Sequence, residues 1–458
     1  MRMLGPASAA LAGVLLAFAA APALVTAPAA AIDPPEVVVG TIPPDGPPGP
    51  EAPTKQNNGC LATGVLQGTD LAQAPPPDRA LNLRRVRTLS RGAGVTVAVI
   101  DTGVSPGPRL PRLTGGGDYV AAGGDGLSDC DAHGTLVAGI IGAAPDPADG
   151  FAGVAPDAQI LSIRYQSGAF TDEQPSGTDT NEKVARQVRT LARAITHAAN
   201  LGAGVIAVTL PVCVPAAARV DQSMLSAAVG YAVHVRGALI VAGAGNTGSS
   251  GCTQNPDVDP GKPDDSRNWR SVATISSPGW FVPDVLTVGF TTAAGDPMPE
   301  SLWGPWVSVA APGTGIESLG PGGGGLINGV GSPDKLVPVG GASFAAAYVS
   351  GAAALLRSRF PNETPSQIMA RLQTSAHAPA RGLDNVVGAG VIDPAAALSY
   401  ASAPPPPVGL FGSSRLTMPP SKRPADHRPA TVALVVIIVA VLLGIGAGYG
   451  TTVVRRRQ

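Results

Sequence analysis

Charge is scarce in this chain. Asp, Glu, Lys and Arg make up 14% of its 458 residues and almost cancel, leaving a net charge of −1. No basic footprint for a phosphate backbone exists, which excludes nucleic acid as a partner. Aromatic residues amount to 4%, and lysine is confined to Lys55, Lys183, Lys262, Lys335 and Lys422. That skew, with abundant Ala, Gly and Pro, points to no particular chemistry. Cysteine occurs only at Cys60, Cys130, Cys213 and Cys252, too dispersed for a zinc site, whose ligands come in pairs two to four residues apart. The acids Asp118, Asp125, Asp129 and Asp131 fit no calcium-loop spacing and read as a solvated loop. No metal or cofactor is expected, and no internal repeat is visible.

The two ends carry what hydrophobic runs there are. Residues 1–31 contain Arg2, an apolar run from Ala9 to Leu24 and a small-residue end, Pro28-Ala29-Ala30-Ala31. This reads as a secretory signal peptide cut near Ala30 or Ala31, with an uncleaved anchor as the alternative. Ala430 to Tyr449 is a charge-free apolar stretch of about 20 residues, enough at ~1.5 Å per residue to cross a ~30 Å bilayer core. Arg455, Arg456 and Arg457 follow it and fit a cytoplasmic end, although Lys422, Arg423 and Arg428 on the outer side dilute the bias. The expected topology is a large extracytoplasmic domain on one membrane helix, residues 430–450, with residues 451–458 in the cytoplasm.

In an exported chain an even cysteine count points to two disulfides. Three pairings are open, and pairing neighbours along the chain gives Cys60–Cys130 and Cys213–Cys252. The first would staple an N-terminal extension, residues 32–80, to the main domain. That extension is dense in proline, including Pro43-Pro44, Pro47-Pro48 and Pro75-Pro76-Pro77, and cannot build a sheet interior or a long helix. It reads as an extended strap wrapped on the domain, with a disordered linker as the alternative. Residues 401–429, with Pro404 to Pro407, read as a second tether.

Residues 81–400 alternate in pattern. Segments 95–100, 159–164, 204–210 and 238–242 read as buried strands, and 133–142, 181–200 and 220–235 as helices. Segments 285–290 and 307–311 are strand-like, and Thr364-Pro365-Ser366-Gln367 opens a helix with a capping box. Strands alternating with helices predict an α/β fold, a mostly parallel sheet covered on both faces. The polar stretches 166–180 and 249–283 read as surface loops at the rim of a cleft.

One stretch organises this domain. In Gly340-Gly341-Ala342-Ser343-Phe344, two glycines permit a sharp turn, and helix-favouring, mostly apolar residues run on to Phe360 before Pro361. Ser343 therefore sits at a helix mouth, where unpartnered N–H groups and the helix dipole would stabilise an oxyanion. A Gly-turn before a core helix looks the same, so the serine needs a base from elsewhere. In a parallel sheet chemistry collects beyond the carboxyl ends of strands, and Val99-Ile100-Asp101-Thr102-Gly103 puts Asp101 there. Of the five histidines, His133 alone opens a glycine-flanked helix; His197, His234, His377 and His427 fall mid-helix or in polar tails. The run Gly243-Ala244-Gly245-Asn246-Thr247-Gly248 matches G-x-G-x-x-G, but no helix follows, so nucleotide binding is rejected. Asn246 instead becomes a candidate hydrogen-bond donor to an oxyanion. Asp101, His133, Ser343 and Asn246 together are the parts acyl transfer requires, in the chain order Asp, His, Ser.

The blocks V-I-D-T-G-V around Asp101, H-G-T-x-V-A-G around His133 and G-x-S-F-A-A around Ser343 resemble the subtilisin-like (S8) serine proteases over about residues 81–400. With the signal peptide, disulfide-pinned extension and C-terminal membrane helix, the chain looks like the mycosins, the membrane-anchored subtilisin-like proteases of type VII (ESX) secretion systems. The resemblance implies a three-layer α/β/α fold, a protein or peptide substrate and partners in the ESX membrane complex. It also implies substrate pairing along strand edges at Ser162, Ile163 and Arg164 and at Val208, Thr209 and Leu210. Two positions depart from the family pattern. Ala342 stands where a threonine is usual, and Ala347 where proline is common. Neither removes a reacting atom, so the resemblance implies a slower enzyme, by about 1–2 kcal/mol, rather than an inactive one. The rival expectation is a structural subunit of the secretion complex whose protease site is little used.

Overall fold

A computed structural model describes residues 32–173, 180–248, 252–259, 261–323, 325–380, 382–405 and 428–455. The expected signal peptide lies outside them, as do most of the second tether and the last arginines. The described chain divides into two units, of which the second is the C-terminal helix region.

In the first unit, seven strands form one sheet: β1 Thr96–Asp101, β2 Leu113–Asp118, β3 Gln159–Arg164, β4 Val205–Val208, β5 Leu239–Gly243, β6 Val285–Thr291 and β7 Val307–Pro312. Their order is β7-β6-β5-β4-β1-β3-β2, and every neighbouring pair is parallel. All seven carboxyl ends therefore share one edge. The principal helices are α1 His133–Gly142, α2 Thr180–Asn200, α3 Ser223–Gly230, α4 Ala342–Arg359 and α5 Pro365–Thr374. The capping box read at Thr364 is present, its hydroxyl accepting from Gln367 N–H.

The strands read as continuous apolar runs because each buries both faces. Val97, Val99, Val205, Ala207, Leu239 and Val241 point to a core shared with α1 and α4. Their alternates Ala98, Ile100, Ile206, Val208, Ile240 and Ala242 point to a second core against α2 and α3. Alternation along each strand thus divides one sequence pattern between two cores and yields three layers. Helix α4 has no polar face from Ala342 to Leu356, and all of that length is buried.

Two segments near the sheet differ from expectation. The edge strand β2, Leu-Thr-Gly-Gly-Gly-Asp, carries no strand signal because glycine has low β-propensity. The stretch 249–283 is not wholly a rim loop: Thr274–Ser277 is a buried strand paired antiparallel with Val212–Pro215. The Cys213–Cys252 disulfide ties that ribbon to the loop after β5.

The extension contacts the domain at several points. Val38 N–H donates to Ser226 Oγ on α3, and Asp45 contacts His197 and Asn200 at the end of α2. Thr54–Gln56 pairs with Phe170–Asp172, Cys60 is joined to Cys130, and Ala62–Gly64 pairs with Gly329–Gly331. In the second unit, Arg428–Arg455 is one 28-residue helix whose window Thr431–Gly448 has a mean hydropathy of 2.7. Among the described residues it alone is long and apolar enough to cross a membrane.

Candidate active site

Three side chains from distant parts of the chain meet at the carboxyl edge of the sheet. Asp101 is the last residue of β1, His133 the first of α1 and Ser343 the second of α4. His133 Nε2 lies 2.9 Å from Ser343 Oγ, and Nδ1 lies 2.8 and 3.0 Å from the two oxygens of Asp101. Asp101 is fully buried, while 21% of the His133 side chain remains exposed, so the imidazole is open on one side. Besides the imidazole, Asp101 accepts from Thr102 N–H at 2.6 Å and from the Thr209 hydroxyl. A carboxylate placed this way accepts from His133 Nδ1–H and so fixes the imidazole tautomer, leaving Nε2 to accept.

Helix α1 has no capping side chain of its own, since Ala132 at its N-cap is left-handed with φ 61°. Its first orphan donors are satisfied from elsewhere. Gly134 N–H donates to Thr102 Oγ1 at 2.9 Å, and Thr135 N–H to Asp129 Oδ2 at 2.9 Å. The Thr102 hydroxyl in turn donates to Asp129 Oδ1, and the Thr135 hydroxyl to Oδ2. Asp129 and Thr102 therefore clamp the histidine helix to the aspartate loop. The clamp works only at close range: a Cβ on Gly134 would stand 2.0 Å from the Gly103 carbonyl oxygen.

Burial and nearby charge set the titration of His133 and Asp129. Burial lowers the His133 pKa, but attraction to Asp101, the hydrogen bond to it, and the charges of Asp129 and Asp131 outweigh burial and leave it raised. Burial pushes the Asp129 carboxyl up against the Thr135 hydrogen bonds, with Asp101 adding to the rise and Thr102 opposing it.

Asn246 follows β5 and reaches the mouth of α4. Its Oδ1 accepts from Ala342 N–H at 2.9 Å, and because a backbone N–H can only donate, this contact fixes the orientation of the amide. The NH₂ group then faces away from Ala342 and donates to no other group among the described residues. Gly341 permits the approach: its φ is 140°, and a Cβ there would lie 3.0 Å from Asn246 Nδ2. Ser343 N–H, in the first turn of α4, has no intrahelical acceptor. A carbonyl carbon at Ser343 Oγ can thus place its oxygen between two donors. Ala342, 1% exposed, brings no hydroxyl to this spot.

The proposed substrate edges need correction. Ser162, Ile163 and Arg164 lie in β3, an interior strand paired with β1 on one side and β2 on the other, and are at most 2% exposed. No free backbone remains there for a substrate. Val208 pairs with both Ile100 and Ala242, and the Thr209 side chain is committed to Asp101. Of that set only Leu210 is not buried; its carbonyl accepts from the Tyr165 hydroxyl. The expectation of a solvated acidic loop also fails for Asp118 and Asp129, which are 2% and 7% exposed. Asp118 pairs with Arg164 at 3.3 Å and Asp129 serves the clamp. The sequence gives Thr102 and Asp129 no site role and reads Thr209 as a substrate contact, whereas the structure makes it a support for Asp101. No local signal marks these roles, because Thr209 acts on Asp101, and Thr102 on Asp129 and Gly134, across long stretches of chain.

A cavity of about 430 Å³ opens beside Asn246, with Leu210, Val212, Gln187 and Lys183 in its walls.

The chain matches the model of the subtilase family, peptidase S8, over residues 92–390. It is 46% identical to mycosin-1 of Mycolicibacterium smegmatis over 452 residues, covering 97% of this chain and 98% of that protein. Among solved structures it is similar to the serine protease MycP1, described as an essential component of the type VII (ESX-1) secretion system. That likeness has a TM-score of 0.77 and 48% identity, over 81% of this chain and 100% of the other. It is also similar to a chain in the structure of an intact ESX-5 inner membrane complex, with a TM-score of 0.79 and 48% identity over 92% and 100% of the two chains. With the parallel seven-stranded sheet and an aspartate, histidine and serine in contact at its carboxyl edge, this chain belongs to the subtilase family of serine peptidases, in its mycosin branch.

Proposed function

We propose that this chain is a membrane-anchored, extracytoplasmic serine endopeptidase whose reacting groups are Asp101, His133 and Ser343. The observation that carries the reading is the unbroken hydrogen-bonded line from Ser343 Oγ through His133 to Asp101. The Ser343 hydroxyl attacks a peptide carbonyl while His133 Nε2 takes its proton, and Asp101 stabilises the imidazolium that forms. Asn246 Nδ2 and Ser343 N–H hold the oxyanion. Collapse of the tetrahedral species breaks the C–N bond, and the imidazolium gives its proton to the leaving amine. Water, deprotonated by His133, then hydrolyses the acyl-enzyme and returns the serine.

Residues 1–31 direct export and are removed, residues 32–80 form a strap on the peptidase, and Arg428–Arg455 spans the membrane once with its carboxyl end in the cytoplasm. The apolar helix and the likeness to MycP1 and to the ESX-5 membrane complex support work beside a type VII secretion complex on an exported protein. The test is labelling by a fluorophosphonate probe: the native chain should label and Ser343→Ala should not. Equal labelling of the two would refute the assignment.

A second reading, a structural subunit whose proteolysis is secondary, is favoured by the likeness to a chain within an assembled complex. Complementing a deletion strain separates the two. If Ser343→Ala restores secretion and a chain truncated at Pro429 does not, scaffolding is the essential role.

A further inference from the structure

We propose that the cavity beside Asn246 selects a carboxylate side chain of the substrate, and that Lys183 recognises it. The inference rests on the peptidase reading and names the substrate class of that site. Among the cavity's lining residues Lys183 alone carries charge; Gln166, Thr180 and Gln187 are neutral. Among the described residues, the acids on the surrounding elements are committed elsewhere. Glu182 pairs with Arg189 at 3.0 Å, Asp172 with Arg186 at 2.6 Å, and Asp131 accepts from Ser167 Oγ and Gly168 N–H. Glu173 is exposed and does not line the cavity. Lys183 Nζ has no ion-pair or hydrogen-bond partner among the described residues.

Two sources of positive potential coincide on this wall. Lys183 is the fourth residue of α2, so its ammonium adds to the positive end of that 21-residue helix. A lysine placed there is unfavourable for the helix alone, and an anionic ligand would relieve it. Lys183 is exposed, and the lining also includes the apolar Pro211, Val212 and the Cys213–Cys252 disulfide, which keep water from part of the space a bound carboxylate would occupy. Asn246, the proposed donor to the carbonyl oxygen, lines the cavity and His133, which serves the leaving amine, does not, so the cavity is assigned to the acyl side of the scissile bond.

The test uses peptidyl chloromethyl ketones carrying Glu, Gln or Lys at each of four positions before the reactive group, against the full chain in detergent. The readout is the second-order inactivation rate, with a fluorophosphonate that fills no side-chain pocket as the control. At one position Glu should react about 5–10-fold faster than Gln, and Lys slower than either, with the preference shrinking in high salt. Lys183→Ala should abolish that preference and Lys183→Glu invert it, both with unchanged fluorophosphonate labelling. Indifference to charge at all four positions, or a Glu preference that survives Lys183→Glu, would overturn the proposal while leaving the peptidase reading intact. Absence of fluorophosphonate labelling in the native chain would overturn both.

Discussion

Asn246 has two separable tasks, and substitution can separate them. Its Oδ1 accepts from Ala342 N–H at 2.9 Å, and its Nδ2 faces the site where an oxyanion would form. Asn246→Ala removes both. Loss of an oxyanion donor raises the barrier by about 2.7–4 kcal/mol, a fall in kcat of roughly 10²–10³. The stranded Ala342 N–H should lower folding stability by a further ~1–3 kcal/mol. Asn246→Asp keeps an acceptor for Ala342 N–H and loses the donor, so its kcat should fall at least as far while the stability loss is largely avoided. Because Ala342 has no hydroxyl, only Ser343 N–H remains to share the load, which places the loss toward the upper end of the range. The assay is hydrolysis of a quenched fluorogenic peptide normalised to folded enzyme, with urea denaturation alongside. KM should change little, since the donor acts on charge that develops only in the transition state. A kcat within threefold of the native value in both variants would refute the oxyanion assignment.

Other perturbations follow from the same geometry. A protonated imidazole cannot take the serine proton, and the His133 pKa is raised, so kcat/KM should fall with decreasing pH around a midpoint above the usual ~6.5. A midpoint below 6 would contradict the Asp101 contact. Ala342→Thr should speed hydrolysis by about 1–2 kcal/mol, roughly 5–30-fold, if its hydroxyl reaches the oxyanion; an unchanged kcat would show that it does not. Gly134→Ala should destabilise the domain by at least about 3 kcal/mol in denaturant titration, because the new Cβ meets the Gly103 carbonyl oxygen and crowds Asp101. Cys60→Ser opens a closure of 70 residues and should remove about 4 kcal/mol, read as faster proteolysis of the extension and a lower denaturation midpoint.

Most of the architecture was legible because the central strands are apolar on both faces and the helices between them keep their period. Strand β2 was not, since three glycines in six residues carry no pattern and only pairing with β3 makes them a strand. The buried ribbon of Thr274–Ser277 was hidden for a related reason: its pairing to Val212–Pro215 is non-local. The candidate substrate edges were misplaced because a strand's sequence does not say whether its neighbours occupy both sides. Ser162 to Arg164 look like any buried strand, and only the order β1-β3-β2 closes them off.

By itself the sequence determined the class of fold, the apolar helix at the carboxyl end and the identities of Asp101, His133, Asn246 and Ser343, because each follows from local pattern: periodicity, glycine turns and residue type. Tertiary structure alone decided that these groups touch. It also decided that Thr102 from the aspartate loop, together with Asp129, caps the histidine helix, that Thr209 supports Asp101, and that Lys183, in the wall of a cavity, has no ion-pair partner among the described residues. The physical reason is that hydrogen bonds and charge interactions act over a few ångströms, and closeness between residues a hundred positions apart is a property of packing, not of the order in which they are joined.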